Sequence, residues 1–167
     1  MQSMNRNHGF TLLEVLIALL IFTLGLLGMA GLLVVSVKTN HSAYLRSHAS
    51  FLGESMADRM RGNLPGVWAD AYDTTYPTAD TNPCASGGAC TTAQIAARDR
   101  WMWSSQLTTF LPGAGATIAC TPTAGSLVAS GPYDGLCAMT ITWREGSLSR
   151  EAGPAPPLET FVWMFQP

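Results

Sequence analysis

The sequence predicts an α+β fold in which one long N-terminal helix packs against a small antiparallel β-sheet, with one additional helix. Two observations predict it. An apolar run near the start continues as an amphipathic helical stripe, and after residue 116 the apolar residues recur with a period of two. The length of 167 residues allows one modest domain with an appendage.

The first predicted element is a helix from Thr11 to Arg61, of about 51 residues and ~75 Å. Its first part, from Phe10 to Val37, is almost entirely apolar, and ~20 such residues suffice to cross a membrane. Its second part carries an apolar stripe at helical spacing. The stripe consists of Leu45, Ala49, Leu52, Met56 and Met60. Stop signals at 62–66, a glycine, an asparagine and a proline, end the helix.

Residues 64–91 are rich in Pro, Gly, Asp and Thr and predict a surface connection. Thr91 and Gln94 have the spacing of a capping box and predict a second helix that ends at Leu111. One face of this helix is predicted to enter the core through Trp103, Leu107, Phe110 and Leu111. Core positions are also the expectation for the tryptophans at 101, 143 and 163.

Three strands are predicted at 116–120, 137–143 and 158–165, in a sheet of three or more strands. The four cysteines, Cys84, Cys90, Cys120 and Cys137, allow three disulfide pairings. A bond between Cys84 and Cys90 would close a small loop, and Cys120 can meet Cys137 if their strands pair antiparallel. Disulfides are favoured over zinc, because no C-x-x-C occurs and all four cysteines follow the apolar run.

The composition argues against several functions. With Lys+Arg 9 and a formal net charge of -2, the chain has no basic cluster, so nucleic acid is not an expected partner. No G-x-S-x-G or H-E-x-x-H signature occurs, and we expect no catalytic residues, cofactor or metal. His41, His48, Asp99 and Asp134 are the candidates of a rival interpretation as a membrane-anchored envelope enzyme. The two histidines are more typical of surface positions.

Glu14 is a carboxylate close to the start of the apolar run. A charged acid at the centre of a bilayer costs about 2.5 to 3.5 kcal/mol on insertion scales, so it is usually paired. Glu14 could reach the headgroups, because it lies only ~6 Å along the axis from Phe10. Cleavage between Gly9 and Phe10, the natural break before the run, would instead create an amine at the same depth, and this favours pairing between neighbouring chains.

GFTLLEVLIALLIF, from Gly9 onward, resembles the class III signal of type IV pilins and of the pseudopilins of type II secretion. The resemblance implies that a prepilin peptidase cleaves between Gly9 and Phe10 and methylates the amine of Phe10. It also implies that Glu14 neutralises the terminal amine of an adjacent subunit. The predicted order of helix, loop and sheet is similar to the pilin fold.

Further segments resemble PilV-type minor pilins. They are LGLLGMAGLL at 24–33, CTTAQIAARDRW at 90–101, LPGAGA at 111–116 and TITW at 140–143. This resemblance implies a minor pilin that functions in type IV pilus assembly or modification. Its implied partners are prepilin peptidase, other major and minor pilins, and the inner-membrane assembly platform. The alternatives are a secretion pseudopilin, an envelope enzyme, and a pilin that binds DNA or a host surface.

The resemblance also implies a division of the chain. Residues 1–9 would be a cleaved cytoplasmic leader, 10–37 a single inner-membrane span and 38–63 the amphipathic half of the helix. Residues 64–167 would complete a periplasmic head that later lies on the cell-surface pilus.

Two features depart from filament-forming pilins. The span has no helix-bending proline; Gly25, Gly28 and Gly31 stand there instead. No cysteine follows Cys137, so we expect pairing and packing alone to hold the last strand.

Overall fold

The structure is a computed structural model, and it describes residues 9–84, 88–123, 131–146 and 157–167. It confirms the predicted α+β, pilin-like layout, in which one long helix is combined with a small antiparallel sheet and an additional helix. The sheet has four strands in the order β1-β2-β3-β4, and every neighbouring pair is antiparallel. The elements are α1 (Leu12–Arg61), α2 (Leu64–Trp68), β1 (Thr74–Tyr76), α3 (Thr92–Phe110), β2 (Gly115–Thr121), β3 (Leu136–Arg144) and β4 (Leu158–Phe165).

The chain divides into two compact units, Met1–His41 and Ser42–Pro167. The described part of the first unit contains the apolar portion of α1, and its side chains are exposed. An 18-residue stretch of this portion has a mean hydropathy of 2.6. By length and composition it is able to cross a membrane.

The second unit, here called the head, has a core built on the predicted stripe of α1. Leu45, Ala49, Leu52, Met56 and Met60 are all buried, which confirms that prediction. The stripe is covered by α3 and by one face of the sheet. Trp103 of α3 also donates from its indole Nε1 to the carbonyl oxygen of Leu52 at 2.8 Å, which ties the two helices together.

A capping box begins α3, as the sequence predicts. Gln94 N–H donates to Thr91 Oγ1 at 3.3 Å, and Thr91 N–H donates to Gln94 Oε1 at 2.9 Å. Three of the four predicted core residues, Trp103, Leu107 and Leu111, are buried.

The predicted burial of Phe110 and Trp101 is wrong, because each is 40% exposed. At about 100° per residue, position 101 lies nearly opposite Trp103, so the helical period explains the exposure of Trp101. Position 110 lies only about 20° from Trp103, on the buried side, but Phe110 is the last residue of α3 and, among the described residues, only His48 stacks on its ring.

The connection predicted on the surface at 64–91 instead contributes to the core. Pro65 lies in the first turn of α2. Backbone N–H groups there have no partner within the helix, so the missing N–H of proline costs no hydrogen bond. Val67, Tyr72 and Tyr76 are buried beyond it. The two tyrosines enter the core because their hydroxyls find partners: Tyr76 donates to the Tyr72 carbonyl at 3.0 Å, and Tyr72 donates to Asp99 Oδ2 at 2.9 Å.

The sheet places its apolar residues toward α1 and α3. Cys137, Met139, Ile141 and Trp143 of β3 alternate with more exposed neighbours. Cys120 is opposite Cys137 in the register and the two form a disulfide. A second disulfide joins Cys84 and Cys90.

The last strand, β4, packs closely against α1 at Gly53. A Cβ added at Gly53 would lie 3.2 Å from Trp163 Cε3. Trp163 is therefore packed against the core but only half-buried, short of the full burial expected for it. Two polar contacts beyond pairing and packing also hold this end of the chain: Arg46 with Glu159 at 3.1 Å, and Gln166 Nε2 donating to the Tyr133 carbonyl at 2.7 Å.

Candidate assembly site at the N-terminus

The peptide bond between Gly9 and Phe10 lies just before the first helix. Both residues are outside α1 and exposed, and the Phe10 side chain is 84% exposed. A protease needs an accessible peptide bond, and both residues at this bond are exposed. Residues 1–8 of the expected leader lie outside the described residues.

Thr11 caps the N-terminus of α1. Its Oγ1 accepts from the Glu14 N–H at 3.3 Å, and its carbonyl accepts from the N–H groups of Glu14 and Val15 at 3.1 and 3.3 Å. Glu14 is therefore the third helical residue, in the Thr-x-x-Glu spacing of a capping box. Sequence reasoning missed this role of Thr11, although the spacing was the available signal.

Two independent features favour the Glu14 carboxylate in the first turn: the capping-box spacing from Thr11 and the partial charge at the helix end. The unpaired N–H groups there give the helix end a partial positive charge that favours a carboxylate by about 0.3–1 kcal/mol. Its side chain is exposed, and within the described ranges no side chain donates a hydrogen bond to it. The carboxylate thus has remaining capacity for a cation from outside the chain.

A shallow hollow of about 520 Å³ lies beside Glu14 on α1. Ala18 forms its floor, because a small side chain stands between the larger ones at steps of four residues. The lining residues are Phe10, Glu14, Val15, Ala18, Leu19 and Phe22. Apart from one carboxylate the lining is apolar, so the hollow suits an apolar helix that brings a positive charge to Glu14.

Gly9 and Phe10 thus directly precede α1, and Glu14 lies in its first turn. The four cysteines lie in the head and contribute to its covalent framework.

The residues of the envelope-enzyme interpretation have structural contacts. His48 stacks on Phe110, with ring centroids 4.9 Å apart, and meets Tyr44 edge-on at 4.3 Å. Asp134 accepts from the Thr123 N–H at 3.4 Å. In the described ranges no group of three or more His, Cys, Asp or Glu side chains could hold a metal ion.

Asp99 belongs to a buried polar network between α1 and α3. It accepts from Arg59 Nη1 at 3.3 Å and from the Tyr72 hydroxyl at 2.9 Å. Asn63 extends the network, since its Nδ2 donates to Tyr72 at 3.1 Å and to the Thr92 carbonyl at 2.9 Å. Burial raises the pKa of the Tyr72 hydroxyl, so it remains a neutral donor at physiological pH. The network holds the end of α1 against α3.

The comparisons with known proteins bear on the N-terminus. The family model described as the prokaryotic N-terminal methylation motif matches residues 4–30. The chain matches no curated protein and no solved structure. The apolar helix and this motif fit membrane anchoring, and the motif implies processing by prepilin peptidase and assembly of the pilin kind. Pilin-type proteins are structural rather than catalytic. The methylation motif therefore indicates a protein of the type IV pilin and pseudopilin type.

Proposed function

We propose that this chain is a minor pilin, of the PilV type, that functions in type IV pilus assembly or modification. The observation that carries the proposal is the position of Glu14. Its carboxylate lies one turn from an exposed Gly9–Phe10 bond, beside an apolar hollow, inside the matched methylation motif. Prepilin peptidase cleaves this bond and methylates the amine of Phe10.

The physical step is the meeting of opposite charges in an apolar environment. Each isolated charge at bilayer depth costs several kcal/mol, and the carboxylate of one subunit beside the ammonium of the next offsets that cost. Such a buried pair fixes register more than it adds stability. In a staggered bundle of helices, Glu14 of one subunit sets where Phe10 of its neighbour stops.

The same proposal assigns the segments of the chain. Residues 1–9 are the cytoplasmic leader, 10–37 the inner-membrane span and 38–63 the amphipathic half of the helix. Residues 64–167 complete the periplasmic head, which carries both disulfides. The partners are other major and minor pilins and the inner-membrane assembly platform, and the assembled protein lies in the surface pilus.

Mass spectrometry of the mature N-terminus tests the processing step. We expect a chain that begins at N-methylated Phe10 in the sheared surface fraction. Recovery of intact chains beginning at Met1 from functional fibres would overturn the proposal.

A deletion strain separates the pilus from the secretion machine. We expect fewer surface pili and unchanged protein secretion, and the full-length gene should restore the number of pili. Loss of secretion with normal pili would identify a secretion pseudopilin instead.

A further inference from the structure

In the part of the chain that the structure describes, no strand pairs with the outer edge of β4. β4 has eight residues and pairs on one side only, with β3. Successive residues of a strand direct their N–H and C=O groups to opposite sides. The Glu145 N–H, just after β3, donates to the Pro157 carbonyl at 3.2 Å, so odd-numbered residues of the two segments face each other.

The even-numbered residues of β4 therefore direct their backbone groups away from the sheet. They are Leu158, Thr160, Val162 and Met164. Among the described residues, none donates to or accepts from the backbone of these four on that side. Their side chains are also exposed, by 61% at Val162 and Met164. A row of main-chain donors and acceptors thus coincides with a row of uncharged side chains.

Natural proteins usually protect sheet edges with short strands, prolines or charges. The opposite edge shows such protection, because β1 has three residues and is followed by Pro77. Pro157 precedes β4, but the eight residues of the strand contain no proline, and none of its outward-facing positions carries a charge. Its one charged residue, Glu159, lies on the face toward α1 and pairs with Arg46. An unprotected edge of this length is suited to pair with another strand.

The surfaces on either side of this edge define the chemistry of the strand that fits it. On the face toward α1, Phe161 and Trp163 are half-buried, and an added strand would cover the rest of their rings. On the outer face the added strand would lie beside the exposed side chains of Leu158, Val162 and Met164. Both faces of the added strand therefore meet apolar surface.

A second copy of this chain does not fit as a two-fold symmetric partner through β4. Arg46 contacts Glu159 and Gly53 approaches Trp163, so residues 42–61 of α1 run in the same direction as β4. Antiparallel pairing of two β4 edges would direct the two helices oppositely, whereas chains anchored in one membrane must enter their heads from the same side. Parallel pairing of identical edges needs a stagger that a two-fold axis along the strands does not allow.

The other edge of a second copy is also unsuitable. In the register of β1 with β2, Cys120 N–H faces the β1 side, where it donates to Asp73 Oδ2 at 2.7 Å. This leaves Thr75 as the residue of β1 that faces outward, too little for a ladder with β4.

We propose that the β4 edge docks an extended, uncharged segment of a different polypeptide, with apolar side chains on both faces, as a fifth strand of the sheet. This proposal goes beyond pilus assembly through the N-terminal helix and uses only the anchoring of the chain in one membrane. The N-terminal mass measurement and the β4 experiment can each fail alone, so the two proposals are separately testable.

The test uses a photoreactive phenylalanine derivative placed at position 162, and separately at 160, in the full-length protein in its native cells. Crosslinked products are mapped by mass spectrometry to the residue attached. We expect attachment to an uncharged segment of another polypeptide. The attached residue should move by two along that segment when the label moves from 160 to 162, because strands pair in register. The label at Thr117, in the middle of the outer face, is the control and should not attach to that segment.

A backbone variant tests the hydrogen bonds themselves. Thr160→Pro removes an N–H that faces outward and leaves the ladder with β3 intact, so crosslinking from position 162 should fall about fivefold or more. Thr160→Ala, which keeps the N–H, should crosslink as the parent does. Val162→Lys, with the label at 160, is a second disruptive variant if the proline variant does not reach the membrane with both disulfides formed. Products with a second copy only, with lipid only, without the two-residue step, or unaffected by either disruptive variant would each overturn the proposal.

Discussion

Asp99 is the residue at which the buried polar contacts of the head meet. It accepts from both Arg59 and Tyr72, and its side chain is only 12% exposed. Asp99→Ala leaves an arginine and a hydroxyl buried without their acceptor, so we expect the free energy of unfolding to fall by about 2–3 kcal/mol. Chemical denaturation of the full-length protein in detergent, followed by tryptophan fluorescence, measures the loss.

The control for Asp99 is a second Asp–Arg pair, which lies on the surface of α1. Asp58 contacts Arg61 at 2.9 Å, with side chains 74% and 48% exposed. Water already screens this pair, so Asp58→Ala should change stability by about 0.5 kcal/mol or less. Equal losses in the two variants would show that the Asp99 network does not stabilise the head.

Asp80 gives the head an acid-sensitive contact. Arg100 donates to its two carboxylate oxygens at 2.6 and 3.1 Å and, with Nη1, to the Ala71 carbonyl. These hydrogen bonds hold the pKa of Asp80 below its usual range. A carboxyl with a lowered folded-state pKa stabilises the protein above its unfolded pKa of about 3.9, and that stabilisation is lost as the pH falls through the folded value.

The lowered pKa of Asp80 predicts how the stability of the Asp80→Asn variant depends on pH. The variant should be less stable than the parent by about 1 kcal/mol at pH 7, and the two should converge as the pH falls through the lowered pKa of Asp80. Denaturation curves of both proteins from pH 7 to pH 2.5 measure the difference. A gap that is independent of pH would contradict the role of the charge.

Asp73 should show the opposite pH dependence. Burial raises the pKa of its carboxyl, although the Cys120 N–H donates to it at 2.7 Å. Ionisation of Asp73 therefore opposes folding, and the stability of the parent relative to Asp73→Asn should decline as the pH rises through the raised pKa. Asp73→Asn is thus a matched control for Asp80→Asn in the same denaturation series.

At the scale of elements, the two disulfides close loops of different length. Cys120–Cys137 spans a sequence separation of 17 and Cys84–Cys90 one of 6. In the chain-entropy model, removing the first should cost about 3 kcal/mol and removing the second about 2 kcal/mol. Cys137 is also fully buried between the sheet and the helices, so its replacement by alanine adds a cavity cost.

Paired Cys→Ala variants test this order by denaturation under non-reducing conditions. We expect the double variant at 120 and 137 to be the less stable of the two. The reverse order would show that the loop of Cys84–Cys90 organises more of the head than its length indicates.

The elements with strong periodic signals were predictable from the sequence. The stripe from Leu45 to Met60, the capping box of α3 and the alternation of β3 each repeat a local rule several times, so tertiary contacts did not need to be known. The β1 strand and α2 were missed, because three and five residues are too short to show a period. Their positions depend on the Tyr72 hydroxyl, whose partner Asp99 lies 27 residues away in the sequence.

The candidate site likewise has some features that a local sequence pattern predicts and others that depend on the folded structure. Gly9, Phe10 and Glu14 lie within one stretch of six residues, so the sequence alone predicts them as a site. The hollow over Ala18 and the open edge of β4 were missed. The hollow depends on side-chain sizes along a helix face, and the edge depends on which strand has no neighbour.

At the scale of the whole molecule, the two units have different needs. The head is stabilised by its own core, two disulfides and a buried polar network. The apolar portion of α1 exposes nearly all its large side chains and needs lipid or other helices around it. The proposed assembly step involves the first unit, where Glu14 is the single acidic or basic residue between Leu12 and Val37.

Glu14→Leu provides the final prediction, with Glu14→Asp as its matched control. The leucine removes the charge and keeps the apolar helix, so the protein should be processed and inserted but fall at least tenfold in sheared surface fibres, because the ammonium of the neighbouring Phe10 then has no counterion. Asp keeps the charge on a shorter side chain and should retain part of the incorporation. Gly9→Val, which should block cleavage and leave no amine at Phe10, should also be absent from fibres despite an intact Glu14. Immunoblots of membrane and sheared fractions measure all three variants, and normal incorporation of Glu14→Leu would refute the pairing of charges as the basis of assembly.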